Sequence, residues 1–313
     1  MQTKLQRNET LECCRIVAAV FVVFLHVPFP GLLGKTVNCL ARFAVPLFFA
    51  ISGWFSYGAK PKKLLRRMGK ILLLEAVGIG LTVLSRGFQV AVPGREAMMK
   101  WLLLNVDPFA GHLWYLSAMA WCYGALWGYT WIFCSRKTNY RPLYVLSGIL
   151  LACHFAMANF SEFTGIRVEY IVYRNAWFFG IPMFAMGLLL KEYAGKLCSL
   201  RLWPVLILGF GLSLLERWLL GPSDLPVAMP LAVAAILLLT AAHPALPENR
   251  PGLRSAAAHF GSMSTVVYII HLIISEALPV ENPWLRPVAV AALSVMAAAA
   301  WVLIRKGIPK IRN

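Results

Sequence analysis

Apolar runs of about 17–22 residues, separated by short polar breaks, constrain this chain more than any other feature. That is the length of helix needed to cross about 30 Å of hydrocarbon at 1.5 Å per residue. Inside a bilayer every backbone N–H and C=O must be satisfied within the protein, so long unalternating runs of this kind become helices. Composition agrees. Of 313 residues, 59% are hydrophobic and only 14% charged, whereas soluble domains run at about 45–50% apolar and about 25% charged. Too few polar residues exist to clothe a soluble core. The expected fold is all-α: a polytopic membrane protein of about ten spans, near 12–30, 38–57, 71–92, 112–133, 143–160, 174–190, 202–220, 227–242, 259–279 and 286–304. The sequence shows no internal repeat and no long linker, so residues 1–313 read as a single transmembrane domain.

A net charge of +17 would suit a nucleic-acid binder, but the placement of the charges argues against one. With the amino terminus inside, the cytosolic breaks hold Lys4, Arg7, Lys60, Lys62, Lys63, Arg66, Arg67, Lys70, Arg136, Lys137, Arg141, Lys191, Lys196, Arg201, Arg250, Arg254, Arg305, Lys306, Lys310 and Arg312. The opposite face holds only Lys35, Arg86, Arg95, Lys100, Arg167, Arg174, Arg217 and Arg286. This asymmetry follows the positive-inside rule and places both termini in the cytosol. The basic charge is topological, and no nucleic-acid partner is expected. Glu9, Glu12 and Arg15 interrupt what would be a signal-peptide core, so the first run reads as an uncleaved span. Cys13, Cys14, Cys39, Cys122, Cys134, Cys153 and Cys198 fall in or beside apolar segments without a C-x-x-C pair. They read as small hydrophobes, with no metal site.

Several breaks and spans have features of their own. The stretch 93–111 contains an amphipathic segment suited to the membrane interface. Residues 243–258, rich in proline, read as an inner loop, and the spans near 174–190 and 227–242 carry Pro182 and Pro230, which suggests broken or tilted helices.

Ionisable residues inside spans mark functional sites by default. In the first span, CRIVAAVFVVFLH, Arg15 and His26 are eleven residues apart. Eleven steps of about 100° return to within about 20°, so both side chains leave one face of a helix, about 16 Å apart along its axis. An arginine at the cytosolic entrance can hold a phosphate or carboxylate, and a neutral histidine deeper in can take a proton from a hydroxyl. The second span, NCLARFAVPLFFAISGWF, places Arg42 in an apolar run, with Pro46 to bend the helix and Ser52-Gly53 to permit close helix contact. His112 opens the fourth span beside Trp114 and Tyr115, for which the plain alternative is an aromatic belt. Tyr268 and His271 lie three residues apart and share a face of the ninth span. Arg174 and Glu216 stand at the outer ends of their spans. Glu75, a turn into the third span, is expected to pair with Lys70 or Arg67.

At these residues the chain resembles the acyltransferase-3 family of membrane O-acyltransferases along essentially its whole length. The match rests on Arg15 and His26 with ten residues between them, on Arg42-Phe-Ala-Val-Pro46 running into Phe48-Phe49-Ala-Ile-Ser52-Gly53, on His112-Leu-Trp114-Tyr-Leu, and on Tyr268-Ile-Ile-His271. The resemblance implies an enzyme that moves an acyl group, usually acetyl, from cytosolic acyl-CoA to a hydroxyl of a cell-envelope glycan or lipid-linked acceptor. It needs no metal and belongs in the cell membrane, as in a bacterial inner membrane. In this reading His26, Arg15 and Arg42 are catalytic, and Arg15, Lys63, Arg66, Arg67 and Lys70 hold the CoA phosphates. His112, Trp114, Arg174, Glu216, Tyr268 and His271 face the acceptor. One departure concerns the R-x-x-R of the inner loop, replaced here by Lys63-Leu-Leu-Arg66 and Arg67-Met-Gly-Lys70. Segments RNAWFFGIPMFAMGLLL and SLLERWLLGPSDLP are similar to the membrane half of vancomycin-resistance serine racemases. That similarity leaves a serine permease without acyl transfer as the alternative.

Overall fold

The computed structural model describes residues 8–89, 91–133, 139–165 and 168–307, with side chains for all of these except 160–163, 306 and 307. Lys4, Arg7, Cys134, Arg136, Lys137, Arg167, Lys310 and Arg312 lie outside the described residues. The described residues contain helices and turns and no strand. In chain order the helices are α1 (Glu9–His26), α2 (Gly31–Ala41), α3 (Ala44–Trp54), α4 (Pro61–Ser85), α5 (Arg95–Leu104), α6 (Trp114–Ile132), α7 (Arg141–Thr164), α8 (Tyr170–Tyr173), α9 (Ile181–Glu192), α10 (Ala194–Leu197), α11 (Leu202–Leu219), α12 (Met229–Ala242), α13 (Pro251–Ala277) and α14 (Leu285–Gly307).

The chain is an all-α, multi-pass membrane protein. Among the described residues six stretches are long and apolar enough to cross a bilayer: Gly31–Trp54, α4, Arg141–Asn159 of α7, α11, α13 and Leu285–Arg305 of α14. The other four expected spans fall on α1, which carries Glu9, Glu12 and Arg15, on the Trp- and Tyr-rich α6, and on the shorter α9 and α12. Large apolar side chains stand exposed along the long helices, among them Leu73, Leu146, Ile207 and Ile304. In water such surfaces would drive aggregation, whereas in lipid they are the solvent-facing side.

Four local departures from the sequence expectation have physical causes. The basic segment after the second span is not a loop. Pro61 starts α4 at its first turn, where a missing N–H costs nothing, so Lys63, Arg66, Arg67 and Lys70 are helical. The second span is two helices. Pro46 has no N–H for the Arg42 carbonyl, and the chain passes through Arg42-Phe43 on bonds from Arg42 N–H to Cys39 O and from Phe43 N–H to Leu40 O. The span with Pro182 begins with a π-helical turn, Ala176–Gly180, whose start is capped by Asn175 Oδ1 accepting from the Trp177 and Phe178 N–H groups. Pro230, by contrast, sits in the first turn of α12 and breaks nothing. Finally, the proline-rich inner loop is shorter than expected, because α13 already begins at Pro251.

The chain forms two compact units. The first comprises residues 1–44 and 236–313, and the second residues 45–235. In the first, α1 packs along α13, and α14 packs on α13. The start of α1 is tied down. Asn8 caps it by accepting from Leu11 N–H and donates to Thr240 O, and Thr10 Oγ1 donates to His243 O at 2.6 Å. Glu9 accepts from Leu246 N–H at 3.0 Å and pairs with Arg254 Nε at 3.0 Å. In the second unit α4 packs on α6, and α7 packs on α9 and the π turn. A Cβ on Gly53 would lie 1.9 Å from Phe184 O, and one on Gly187 would lie 1.9 Å from Ala50 O. The close approach expected of Ser52-Gly53 is therefore a reciprocal backbone contact between α3 and α9.

Candidate functional site

The first unit brings two histidines together. His26 is the last residue of α1 and is exposed. Its ring centroid is 5.2 Å from that of His271 on α13, at 42°. His271 is completely buried. Its Nδ1 lies 2.8 Å from Tyr268 O and 3.2 Å from Val267 O. A carbonyl only accepts, so Nδ1 carries the proton of this contact. Tyr268 is buried one turn away, its ring centroid 6.2 Å from His271. The result is an accessible imidazole backed by a buried one.

Arg15 lies on the same helix as His26, about 16 Å back along the axis. Its Nη1 is 3.5 Å from Glu12 Oε2. The opposing residue of α13 is Gly261, where a Cβ would fall 2.2 Å from Glu12 Oε2 and 2.9 Å from Arg15 Nη1. A larger residue there would push the ends of the Glu12 and Arg15 side chains from their present places. Arg42, in the α2–α3 break of the same unit, is half-buried with Nη2 3.4 Å from Asn38 Oδ1.

The second unit holds the remaining candidates. Lys63, Arg66, Arg67 and Lys70 follow the i, i+3, i+4, i+7 spacing that shares one face of α4. Lys63, Arg66 and Lys70 are exposed, whereas Arg67 Nη1 donates to Phe55 O at 2.9 Å and Ser56 Oγ at 2.8 Å. Arg67 is thus engaged in holding the turn after α3. Glu75 does not pair with Lys70 or Arg67, as the sequence suggested. It lies about 21 Å along α4, and its Oε1 accepts from Ser117 Oγ and Trp101 Nε1.

His112, on a 3₁₀ turn before α6, and Trp114 are both buried. Trp114 packs inside the unit, with the Arg174 guanidinium 4.7 Å above its ring. Arg174 also stands 5.7 Å from the Tyr170 ring and 3.9 Å from Asp224 Oδ1. Asp224, which the sequence reading passed over, is the carboxylate beside Arg174. Glu216 instead ties down a loop, its Oε2 accepting from Val227 N–H at 2.7 Å. A second omission is His154 of α7. It is fully buried, with Nδ1 3.0 Å from Tyr173 O and its ring against Tyr173 and Phe179. Its place in the run LACHFAMANF was signal enough. Among the described residues no three His, Cys, Asp or Glu side chains are grouped to hold a metal ion.

A family model described as an acyltransferase domain matches residues 8–306. No curated protein matches the chain.

Proposed function

The chain belongs to the acyltransferase-3 family and is a multi-pass membrane acyltransferase; on that premise we propose that it moves an acetyl group from cytosolic acyl-CoA to a hydroxyl of a cell-envelope glycan or lipid-linked acceptor, in a bacterial cell membrane. The observation that carries this reading is the pairing of exposed His26 with buried His271. His26 takes the acceptor's hydroxyl proton as the oxygen attacks the thioester carbonyl. The new C–O bond forms, the C–S bond breaks, and the CoA sulfur leaves with the proton His26 returns. His271 backs His26, its own Nδ1 proton committed to the backbone. Arg42 serves the carbonyl oxygen as charge develops on it.

Arg15 holds a CoA phosphate by its guanidinium fork. The exposed Lys63, Arg66 and Lys70 of α4 offer an anion a basic helix face of their own, with Arg67 left out of that set because it is hydrogen-bonded to Phe55 and Ser56. An extended phosphopantetheine arm has roughly the length of the Arg15–His26 separation derived from helix rise. On the acceptor side, Arg174 over Trp114 suits a polar, oxygen-rich acceptor group, with His112 beside it in sequence. Purified protein incubated with labelled acetyl-CoA and a polyol acceptor is expected to release CoA in step with labelled ester. Serine uptake into vesicles that needs no acyl-CoA, without CoA release, would establish the permease instead.

A further inference from the structure

The second unit has a cavity of about 500 Å³ between α4, α5 and α6, open on one side. Its walls are apolar: Met68 and Leu72 from α4, Met98 and Leu102 from α5, Ala120 and Trp121 from α6. One polar cluster interrupts them, made of Glu75, Ser117 and Trp101. Glu75 is 4% exposed, and both of its hydrogen bonds arrive at Oε1, from Ser117 Oγ and from Trp101 Nε1. Among the described residues no group donates to Oε2.

The cavity is a built feature. Its wall α5 is held by Trp121 Nε1 donating to Leu102 O at 2.9 Å and Trp177 Nε1 donating to Leu103 O at 3.0 Å. Asn105 ends α5 in the left-handed region, φ 61°, and its Oδ1 accepts from Ala176 N–H at 2.7 Å. These bonds hold α5 in place from α6 and from the π turn.

Three occupants can be compared on physical grounds. A plain alkyl chain satisfies the walls and leaves a buried carboxyl oxygen without a donor, at a cost of several kcal/mol in hydrocarbon. Water satisfies the oxygen, but a buried water needs 2–4 polar partners, and the walls around this cluster offer none. An alkyl body ending in a hydroxyl satisfies both. We propose that the cavity binds the alkyl body of a hydroxylated amphiphile, whose O–H donates to Glu75 Oε2. The site rests on neither His26 nor the acyl donor, so it stands or falls apart from the proposed reaction.

The test uses the full chain in phosphatidylcholine nanodiscs, with binding of 1-dodecanol compared with that of methyl dodecyl ether, a near-isostere that lacks the donor. Wild type is expected to prefer the alcohol by about 10-fold or more, the worth of a hydrogen bond to a buried acceptor. Glu75→Leu is expected to abolish the preference, and Ala120→Trp, which fills the cavity from α6 and leaves Glu75 in place, to abolish binding of both. Equal affinity for alcohol and ether in wild type overturns the proposal, as does saturable binding of neither. Alcohol binding that survives Ala120→Trp places the ligand elsewhere and overturns it as well. If Glu75→Leu does not fold, the wild-type ratio and Ala120→Trp decide the matter.

Discussion

At the scale of single residues, His26→Gln is expected to keep the fold and acyl-CoA binding while lowering turnover by about 10²–10⁴. Transfer rate, CoA affinity and thermal stability measured on that one variant check it. A merely structural histidine would lower yield and leave the specific activity of the folded fraction intact. Glu9 gives a prediction in pH. Its carboxyl is held below the ordinary value of 4.5, chiefly by the Leu246 N–H, against desolvation and with Arg254 adding to the effect. A depressed acid stabilises the fold above its ordinary value and ceases to do so as pH falls through the lowered one. Thermal melts of the wild type from neutral pH to about pH 3 are expected to lose stability below 4.5 more steeply than those of Glu9→Gln, which lacks the charge throughout. The relation of Arg15 to His26 was legible in the sequence because a helix has a fixed period and both residues share one helix. The meeting of His26 with His271 was not legible, since it depends on how α1 lies along α13. Nor was the engagement of Arg67, which takes up a carbonyl and a hydroxyl eleven and twelve residues back.

At the scale of elements, the contact between α3 and α9 is backbone against backbone. Gly53→Ala puts a methyl 1.9 Å from Phe184 O, where no side chain can swing aside. It is expected to cost at least the 1–3 kcal/mol or so typical of overpacking, read as a lower melting temperature or a loss of folded yield. Gly211→Ala on α11, where an added Cβ meets nothing within 4 Å, is the matched control and is expected to melt like wild type. Helix α4 carries a second prediction. Reversing Lys63, Arg66 and Lys70 to Glu together is expected to weaken acyl-CoA binding at low salt and to flatten its salt dependence, because exposed charges act through a screened field. The sequence reading missed this helix's start for an identifiable reason: a run of charges looks like a loop, yet Leu, Met, Lys and Arg are all good helix formers. The break at Arg42 was the opposite case. Pro46 announced a bend, and only the missing donor at its own nitrogen shows that the bend falls four residues earlier.

At the scale of the whole molecule, the charge asymmetry makes a topological prediction. Reporter fusions after residues 60 and 196 and at the carboxyl terminus are expected on the cytosolic side, and one after residue 100 on the outer side. A cytosolic report from residue 100 would invert the placing of α5 and with it the proposed acceptor face. The all-α, multi-pass character was plain from run length alone. The division into units was hidden, because the first unit draws on both ends of the chain, residues 1–44 and 236–313. That division bears on how the protein is made. His26 leaves the ribosome roughly 245 residues before His271, a wait of about 12–50 s at ordinary elongation rates of about 5–20 residues per second. Through that interval α1, the expected first span, is without α13, its Arg15 charge offset by Glu12 one turn away. A newly made chain therefore has its first helix long before the proposed catalytic pair can form, and one that stalls before α13 is complete has Arg15 and His26 but no His271 behind them.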